Sequence, residues 1–287
     1  MRAPGWPVTL VEGAVTVRPP RLRDGVAWVE IRQRNRDWLA PWEATPTGVP
    51  SAWEYWNLRQ TISIYNQMLR RLRQQARAGT ALPFAVVNGS RLVGQVTVST
   101  IVRGAFNSGH VGYWIDQDQA GLGITPTALA LVVDHCFGPA GLHRIEANVR
   151  PENASSRRVM EKLGFREEGL QRRYLSIDGA YRDHICFALT IEDVPDGLLN
   201  RWRAVRAAGH SAAVPAASAA SAVPATSASG TSASATTSTG SADGSERRRP
   251  GEAPRPGEEA GAAGSPRRAG SGREPAFPYP PPADPPP

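Results

Sequence analysis

Thiols and lysine ammonium groups are scarce in this chain of 287 residues, which has two cysteines and a single lysine, Lys162. Cys136 and Cys186 are too few and too far apart to indicate a disulfide framework or a zinc site. Each lies in an apolar run, which is typical of a core position. The five histidines show no metal-ligand spacing. We therefore expect no metal centre and two buried thiols.

Long apolar runs are also missing. No stretch approaches the ~18 apolar residues that a membrane-spanning helix needs. The N-terminal stretch MRAPGWPVTLVEG lacks the apolar segment of a secretory signal peptide. These absences argue against a membrane protein, and we expect a cytoplasmic location.

Large apolar side chains almost disappear after residue 210. Residues 211–287 are nearly all Ala, Ser, Thr, Gly, Pro, Arg and Glu, and they hold 14 of the 26 prolines. Such a segment cannot bury enough apolar surface to offset the entropy cost of ordering it. We predict a folded domain over 1–210, with its core at about 15–194, and a disordered tail over 211–287. The end of the tail, PYPPPADPPP, is either a passive tether or a ligand for a proline-recognition module.

The charge of the chain is concentrated in the predicted domain. The formal net charge is +7, and the tail contributes seven arginines and seven acidic residues. The folded domain is therefore basic, which suits an anionic ligand, a phosphate-bearing cofactor or a ribosomal setting.

The order of patterns along the chain predicts an α/β fold. Helical periodicity covers two stretches in the first 80 residues, and short β-branched runs alternate with two further helical patterns after them. The resulting order, β-α-α-β-β-β-α-β-α-β-β, predicts one mixed sheet of six to seven strands with about four helices.

Two glycines, Gly121 and Gly123, directly precede a well-marked helix start in QDQAGLGITPTALALVVDHCFG. Glycine favours a sharp bend or allows another group to approach the backbone closely. Taken alone, the stretch is more typical of a left-handed turn with a helix cap than of a ligand site.

Several motifs in a fixed order resemble the GNAT (Gcn5-related N-acetyltransferase) superfamily, and within it the ribosomal-protein-alanine N-acetyltransferase branch. They are AGLGITPTAL, GLHRIEANVRPENASSRRVMEKLGF, REEGLQRRYLSIDGAYRDH and, less specifically, NRDWLAPWE. The resemblance covers about Val15 to Val194. It implies the GNAT fold, with a mostly antiparallel central sheet, and acetyl-CoA as co-substrate.

The resemblance also implies a role for Gly121 and Gly123 in binding the cofactor. In this family the turn before the central helix wraps the pyrophosphate of acetyl-CoA, and the free N–H groups of a helix N-terminus suit such an anion. The implied cofactor-binding residues are Asp118, Gln119, Ala120, Gly121, Leu122, Gly123 and Ile124, together with Asn153 at the pantetheine arm. Asp118 departs from the Gln or Arg of the family pattern, whereas Asn153 is also a good helix cap.

Acetyl transfer needs a neutral amine, a polarised thioester carbonyl and a proton for the leaving thiolate. Met160 occupies the position at which some N-terminal acetyltransferases of the superfamily have a tyrosine as general acid. The resemblance therefore favours Ser156 as the group that protonates the leaving thiolate. Glu146 and Asn148 share one face of a strand and are the candidate base and a water-holding group. Alternatively, Ser156 bonds the cofactor or lies on the helix surface, and Glu146 pairs with an arginine.

The acceptor remains open between three hypotheses. Tyr174, Tyr181 and Asp183 resemble acceptor-side residues of the family. A peptide α-amine has a pKa of about 7.7–8, so deprotonating it at pH 7 costs about 1 kcal/mol, against about 4.6 kcal/mol for lysine. The leading hypothesis is therefore acetylation of the N-terminal Ala or Ser of a ribosomal or other protein, with ribosome association as a further expectation. A small-molecule amine acetyltransferase and a non-catalytic acyl-CoA-binding protein are the alternatives.

Overall fold

A computed structural model describes residues 4–46 and 52–213. Eight strands form one sheet in the order β1-β2-β3-β4-β5-β6-β8-β7, and every neighbouring pair is antiparallel except β5–β6. The strands are β1 (Leu10–Glu12), β2 (Val15–Arg18), β3 (Leu82–Asn88), β4 (Arg91–Val102), β5 (Ser108–Ile115), β6 (Arg144–Val149), β7 (Arg166–Ile177) and β8 (Ala180–Thr190). The fold class is confirmed, and the count of six to seven strands was low because β1 has only three residues.

Seven helices lie in the described part of the chain, against about four predicted. They are α1 (Gly25–Arg34), α2 (Arg36–Leu39), α3 (Ala52–Arg59), α4 (Ile62–Ala78), α5 (Ile124–Phe137), α6 (Ala154–Leu163) and α7 (Leu198–Ala213). Each of the first two helical patterns divides in two, one at Asn35 and the other at Gln60–Thr61. Helix α7 continues three residues past the predicted boundary at 210, and the rest of the predicted tail lies outside the described residues.

Helix α5 lies at the centre of the core. Twelve of its 14 residues are buried, which is typical of a helix covered on all sides. Both cysteines are buried and free, Cys136 in this helix and Cys186 in β8. In the described part of the chain, no helix is long and apolar enough to cross a membrane, and no cluster of side chains suits a metal ion.

The sheet opens between β5 and β6. These parallel strands pair only from Ser108 to His110 and from Arg144 to Glu146. The residues that follow on both strands, 111–115 and 147–149, line a cavity between the strands instead of continuing the ladder. The first residues of β5 and β6 hold the sheet together, and the last ones are free to contact a ligand.

Helix α7 packs behind the start of α5. The Trp202 side chain is 5% exposed, and its indole N–H donates to Thr127 Oγ1 at 2.8 Å. The carboxylate of Asp134 in α5 accepts the first two amides of α7, from Leu198 at 2.6 Å and Leu199 at 3.0 Å. This carboxylate satisfies N–H groups that a helix start leaves without partners. Helix α7 is therefore part of the folded core.

We predict that Trp202→Ala lowers the free energy of unfolding by about 3–5 kcal/mol, because it removes a large buried side chain from the core. Val205→Ala is the matched control, since Val205 lies on the same helix and is 40% exposed. Its effect should stay within about 0.5 kcal/mol. Urea unfolding followed by circular dichroism measures both. A Trp202→Ala protein as stable as the control would show that α7 is not part of the core.

Candidate active site

A cavity of about 1020 Å³ occupies the opening between β5 and β6. One end reaches the turn before α5 and the start of α6. The other end reaches the loop after α2 and the β7–β8 hairpin, where Trp42, Ile177 and His184 contribute to the lining. The cavity thus connects a helix N-terminus with a region of side chains contributed by distant parts of the chain.

The glycine turn has the backbone shape that only glycine adopts easily. Gly121 and Gly123 have φ angles of 80° and 77°, in the left-handed region that a β-carbon disfavours. The first hydrogen bond of α5 runs from the Thr127 amide to the Gly123 carbonyl at 3.2 Å. The N–H groups that precede it point out of the helix end, where the partial positive charge of the helix lies.

The turn residues named from the sequence divide into two groups. Four of them line the cavity, namely Ala120, Gly121, Gly123 and Ile124. The others are Asp118 and Leu122, which are exposed, and Gln119, whose Oε1 accepts a bond from Asn88 Nδ2 at 3.1 Å. The cofactor-binding roles of all seven stay predictions.

A buried amide and carboxylate hold the base of this turn. Asn35 Nδ2 donates to Asp116 Oδ1 at 2.8 Å, and Asn35 Oδ1 accepts the Gln117 amide at 2.8 Å. Asp116 is fully buried and also pairs with Arg34. Close by, the Trp38 indole N–H donates to the Ile115 carbonyl at 3.2 Å. The NRDWLAPWE motif therefore supports the end of β5, and with it the turn.

We predict that Asn35→Ala weakens coenzyme A binding about 10-fold, or 1.4 kcal/mol, because the turn loses a fixed support. It should also lower stability by about 1–3 kcal/mol, since buried polar partners are left unpaired. Isothermal titration calorimetry measures the binding. Asn200→Ala is the control, because Asn200 is exposed on α7. Unchanged affinity in a folded Asn35→Ala protein would rule out this supporting role.

Glu146 and Asn148 lie on one face of β6, as strand alternation predicts. Asn148 lines the cavity, and its Nδ2 bonds both the Tyr174 hydroxyl and His110 Nδ1 at 3.2 Å. Glu146 is not part of the lining; its Oε1 accepts from Arg144 Nε at 2.7 Å, and its Oε2 lies 3.7 Å from His110 Nδ1. Glu146 thus makes the arginine pair that was its alternative role, and its catalytic role stays a prediction.

The start of α6 brings two predicted residues to the cavity, Asn153 and Ser156. Asn153 Oδ1 accepts the Ser156 amide at 3.0 Å, which confirms Asn153 as the helix cap. The Tyr113 hydroxyl lies 3.5 Å from the Ser156 carbonyl, and burial raises the pKa of Tyr113 to about 12. Tyr113 therefore stays protonated at neutral pH, and the sequence analysis missed it. Met160, in contrast, is buried in the core.

The three predicted acceptor-side residues take different places. Tyr174 reaches the site through its bond to Asn148. Tyr181 is 58% exposed, and Asp183 Oδ1 accepts the Arg173 amide at 2.8 Å within the β7–β8 hairpin. Neither Tyr181 nor Asp183 lines the cavity, whereas the neighbouring His184 does.

Several tryptophans contribute to the cavity lining, and a buried arginine connects two of them, Trp28 and Trp114, with a third, Trp56. The Arg32 guanidinium carbon lies 5.0 Å from the ring centre of Trp28, 4.5 Å from Trp56 and 5.5 Å from Trp114. It also donates to Gln60 Oε1 and Glu43 Oε2, both at 2.8 Å. Cation–π contacts and hydrogen bonds together satisfy this buried charge. Arg32 therefore connects α1 to both α3 and β5.

Comparison with known proteins agrees with this geometry. The family model described as an acetyltransferase (GNAT) domain matches residues 14–166. The chain belongs to this family, and it is an acetyl-CoA-dependent N-acetyltransferase.

Three relatives show how far the similarity extends. The structure of Mycobacterium smegmatis RimJ in complex with CoA-disulfide is 42% identical, with a TM-score of 0.67 over 73% of this chain and 98% of that one. A probable N-acetyltransferase of Bacillus subtilis is 33% identical over 62% of this chain and 95% of its own length. The [ribosomal protein uS5]-alanine N-acetyltransferase of Escherichia coli is 30% identical over 66% of this chain and 94% of its own length.

The residues of the turn fit a diphosphate. A methyl group added at Gly121 would meet no protein atom within 4 Å, so the backbone there is open to a ligand. Arg158 and Lys162 of α6 add positive charge to the cavity lining. Acetyl-CoA, when bound, supplies the activated acetyl group. We expect the chain itself to hold the phosphates at the turn and to leave room for an amine elsewhere in the cavity.

We predict that Gly121→Ala weakens coenzyme A binding about 10-fold, or 1.4 kcal/mol, because a β-carbon would occupy the space next to the N–H groups. Gly141→Ala is a matched control. Gly141 has a φ of 64° and also has no atom within 4 Å of an added methyl group, but it lies outside the cavity. Both variants should lose about 1–2 kcal/mol of stability to backbone strain.

Calorimetry with coenzyme A measures both variants. Equal affinity of Gly121→Ala, Gly141→Ala and the unmodified protein would contradict the placement of the diphosphate at this turn.

Proposed function

We propose that this chain transfers acetyl from acetyl-CoA to the N-terminal α-amine of a protein that begins with Ala or Ser, a ribosomal protein among the candidates. The charge of the cavity lining carries the proposal. Among the residues that the structure describes, six cationic side chains line the cavity against three carboxylates. The three carboxylates, those of Asp37, Glu43 and Glu152, each form an ion pair with an arginine.

This balance of charge opposes a polycationic acceptor. A polyamine or an aminoglycoside carries several ammonium groups and is stabilised by carboxylates that are free to pair with it. A peptide N-terminus carries one ammonium group. The net charge of the rest of the peptide is zero, positive or negative, depending on its side chains. The large cavity with its tryptophan wall also gives space to the first side chains of such a peptide.

The relatives support the same acceptor class. The Escherichia coli relative is named for acetylation of an alanine on ribosomal protein uS5, and the chain covers 94% of its length. An α-amine is also easier to deprotonate than a lysine side chain, because its deprotonation at pH 7 costs only about 1 kcal/mol.

In the proposed reaction, Ser156 gives a proton to the departing thiolate, with Tyr113 as its neighbour at the start of α6. Asn148 of β6 directs the acceptor amine. Both residues line the cavity, Asn148 from β6 and Ser156 from α6, and this placement supports the two roles. We further propose a cytoplasmic location and transient contact with ribosomes, supported by the basic charge of the chain and by the acceptor of the Escherichia coli relative.

The test is a panel of acceptors with the full-length protein and acetyl-CoA, with thiol release as the readout. Peptides that start with Ala or Ser should be turned over, and mass spectrometry should place the acetyl group on the first residue. The matched control is the same peptide with a blocked N-terminus and an internal lysine. Faster turnover of spermidine than of every free peptide would contradict the proposal and favour a small-molecule acceptor.

A further inference from the structure

His184 is a buried imidazole at the acceptor end of the cavity. It is 3% exposed, and it lies two positions before Cys186, the residue of β8 that faces Asn148 across the ladder. Because side chains alternate along a strand, His184 shares the face of Cys186 and Asn148. It also contributes to the cavity lining.

The hydrogen bond of the His184 ring indicates its tautomer. Nδ1 lies 3.0 Å from the Arg182 carbonyl oxygen. A carbonyl oxygen only accepts, so Nδ1 carries the hydrogen, and Nε2 of the neutral ring has a free lone pair. In the part of the chain that the structure describes, no group forms a hydrogen bond with Nε2. In this tautomer, Nε2 is the ring nitrogen that is able to accept a proton.

The surroundings fix the ring and keep it neutral. The Tyr174 ring packs against it at 5.5 Å between centres, and the Tyr174 hydroxyl is itself bonded to Asn148. Burial lowers the pKa of His184 below its usual value, and the charge of Arg150 adds to this effect. Glu152 and Asp183 act in the opposite direction, as does the bond to the Arg182 carbonyl.

We propose that His184 Nε2 is the base that accepts a proton from the ammonium group of the acceptor. The N–H bond breaks and an Nε2–H bond forms, which frees the lone pair of the amine. That lone pair attacks the thioester carbonyl carbon, the C–S bond breaks, and its electron pair leaves with sulfur. The sulfur takes the hydroxyl proton of Ser156, Ser156 takes the second proton of the nitrogen, and His184 releases its proton to solvent.

His184 is better placed for this step than Glu146. The Glu146 carboxylate is bound by Arg144 at 2.7 Å and is not part of the cavity wall. A base at this position is needed for any acceptor that is an amine. The role of His184 can therefore be tested independently of the proposal that the acceptor begins with Ala or Ser.

The test is His184→Asn in the full-length protein, assayed from pH 6 to 9.5 with any amine that the unmodified enzyme acetylates. Asparagine keeps a donor for the Arg182 carbonyl but has no basic nitrogen. We expect kcat/KM at pH 7 to fall about 100-fold, in the range for loss of a general base. The affinity for coenzyme A should stay the same. The deficit should shrink towards pH 9.5, where the acceptor is already neutral.

The unmodified enzyme and two further variants complete the design. Because burial lowers the pKa of His184, the acidic limb that this base produces should lie below the usual range of histidine, and His184→Asn should lack it when the profile is extended to lower pH. His143→Asn is the control, since His143 is exposed and pairs with Glu192 outside the cavity. A larger loss in Glu146→Gln than in His184→Asn would overturn the proposal. If His184→Asn does not fold, His184→Gln takes its place, and turnover at pH 7 equal to that of the unmodified enzyme would overturn the proposal equally.

Discussion

The short pairing of β5 with β6 is the constraint on which the rest of this site depends. Three residue pairs hold the two parallel strands together, from Ser108–Arg144 to His110–Glu146, and the remainder of each strand faces the cavity. A continued ladder would satisfy these backbone groups within the sheet and close the space. The opening instead leaves a passage from the helix N-terminus on one side to the acceptor side chains on the other. A family of enzymes that joins a long cofactor to a separate acceptor needs this arrangement.

Both walls of the opening are held by contacts from distant parts of the chain. Asn35 and Asp116 fix the turn that precedes α5, and Trp202 packs behind the same turn through Thr127. On the acceptor side, the buried guanidinium group of Arg32 makes cation–π contacts with three tryptophan rings. These supports surround a backbone that is itself rich in glycine, and they reduce the freedom that glycine would otherwise give it. A preformed turn loses less entropy when a ligand binds to it.

Local patterns in the sequence predict the parts of this site that depend on local physics. The positive φ angles of Gly121 and Gly123, the cap at Asn153 and the shared face of Glu146 and Asn148 all follow from neighbours in sequence. Local patterns do not predict contacts between distant residues. Asn35 interrupts a helical pattern because its side chain bonds residues that lie more than 80 positions away. His184 was missed for a similar reason: the cavity it faces is formed by strands and loops that periodicity alone does not bring together.

A crystal structure of this chain with bound coenzyme A tests the central claim most directly. The account predicts diphosphate oxygens within hydrogen-bonding distance of the amides of Gly121, Gly123 and Ile124. It also predicts the thiol end between the residues of β5 and β6 that do not pair with each other. A diphosphate bound elsewhere, with the turn before α5 free of contact, would contradict it.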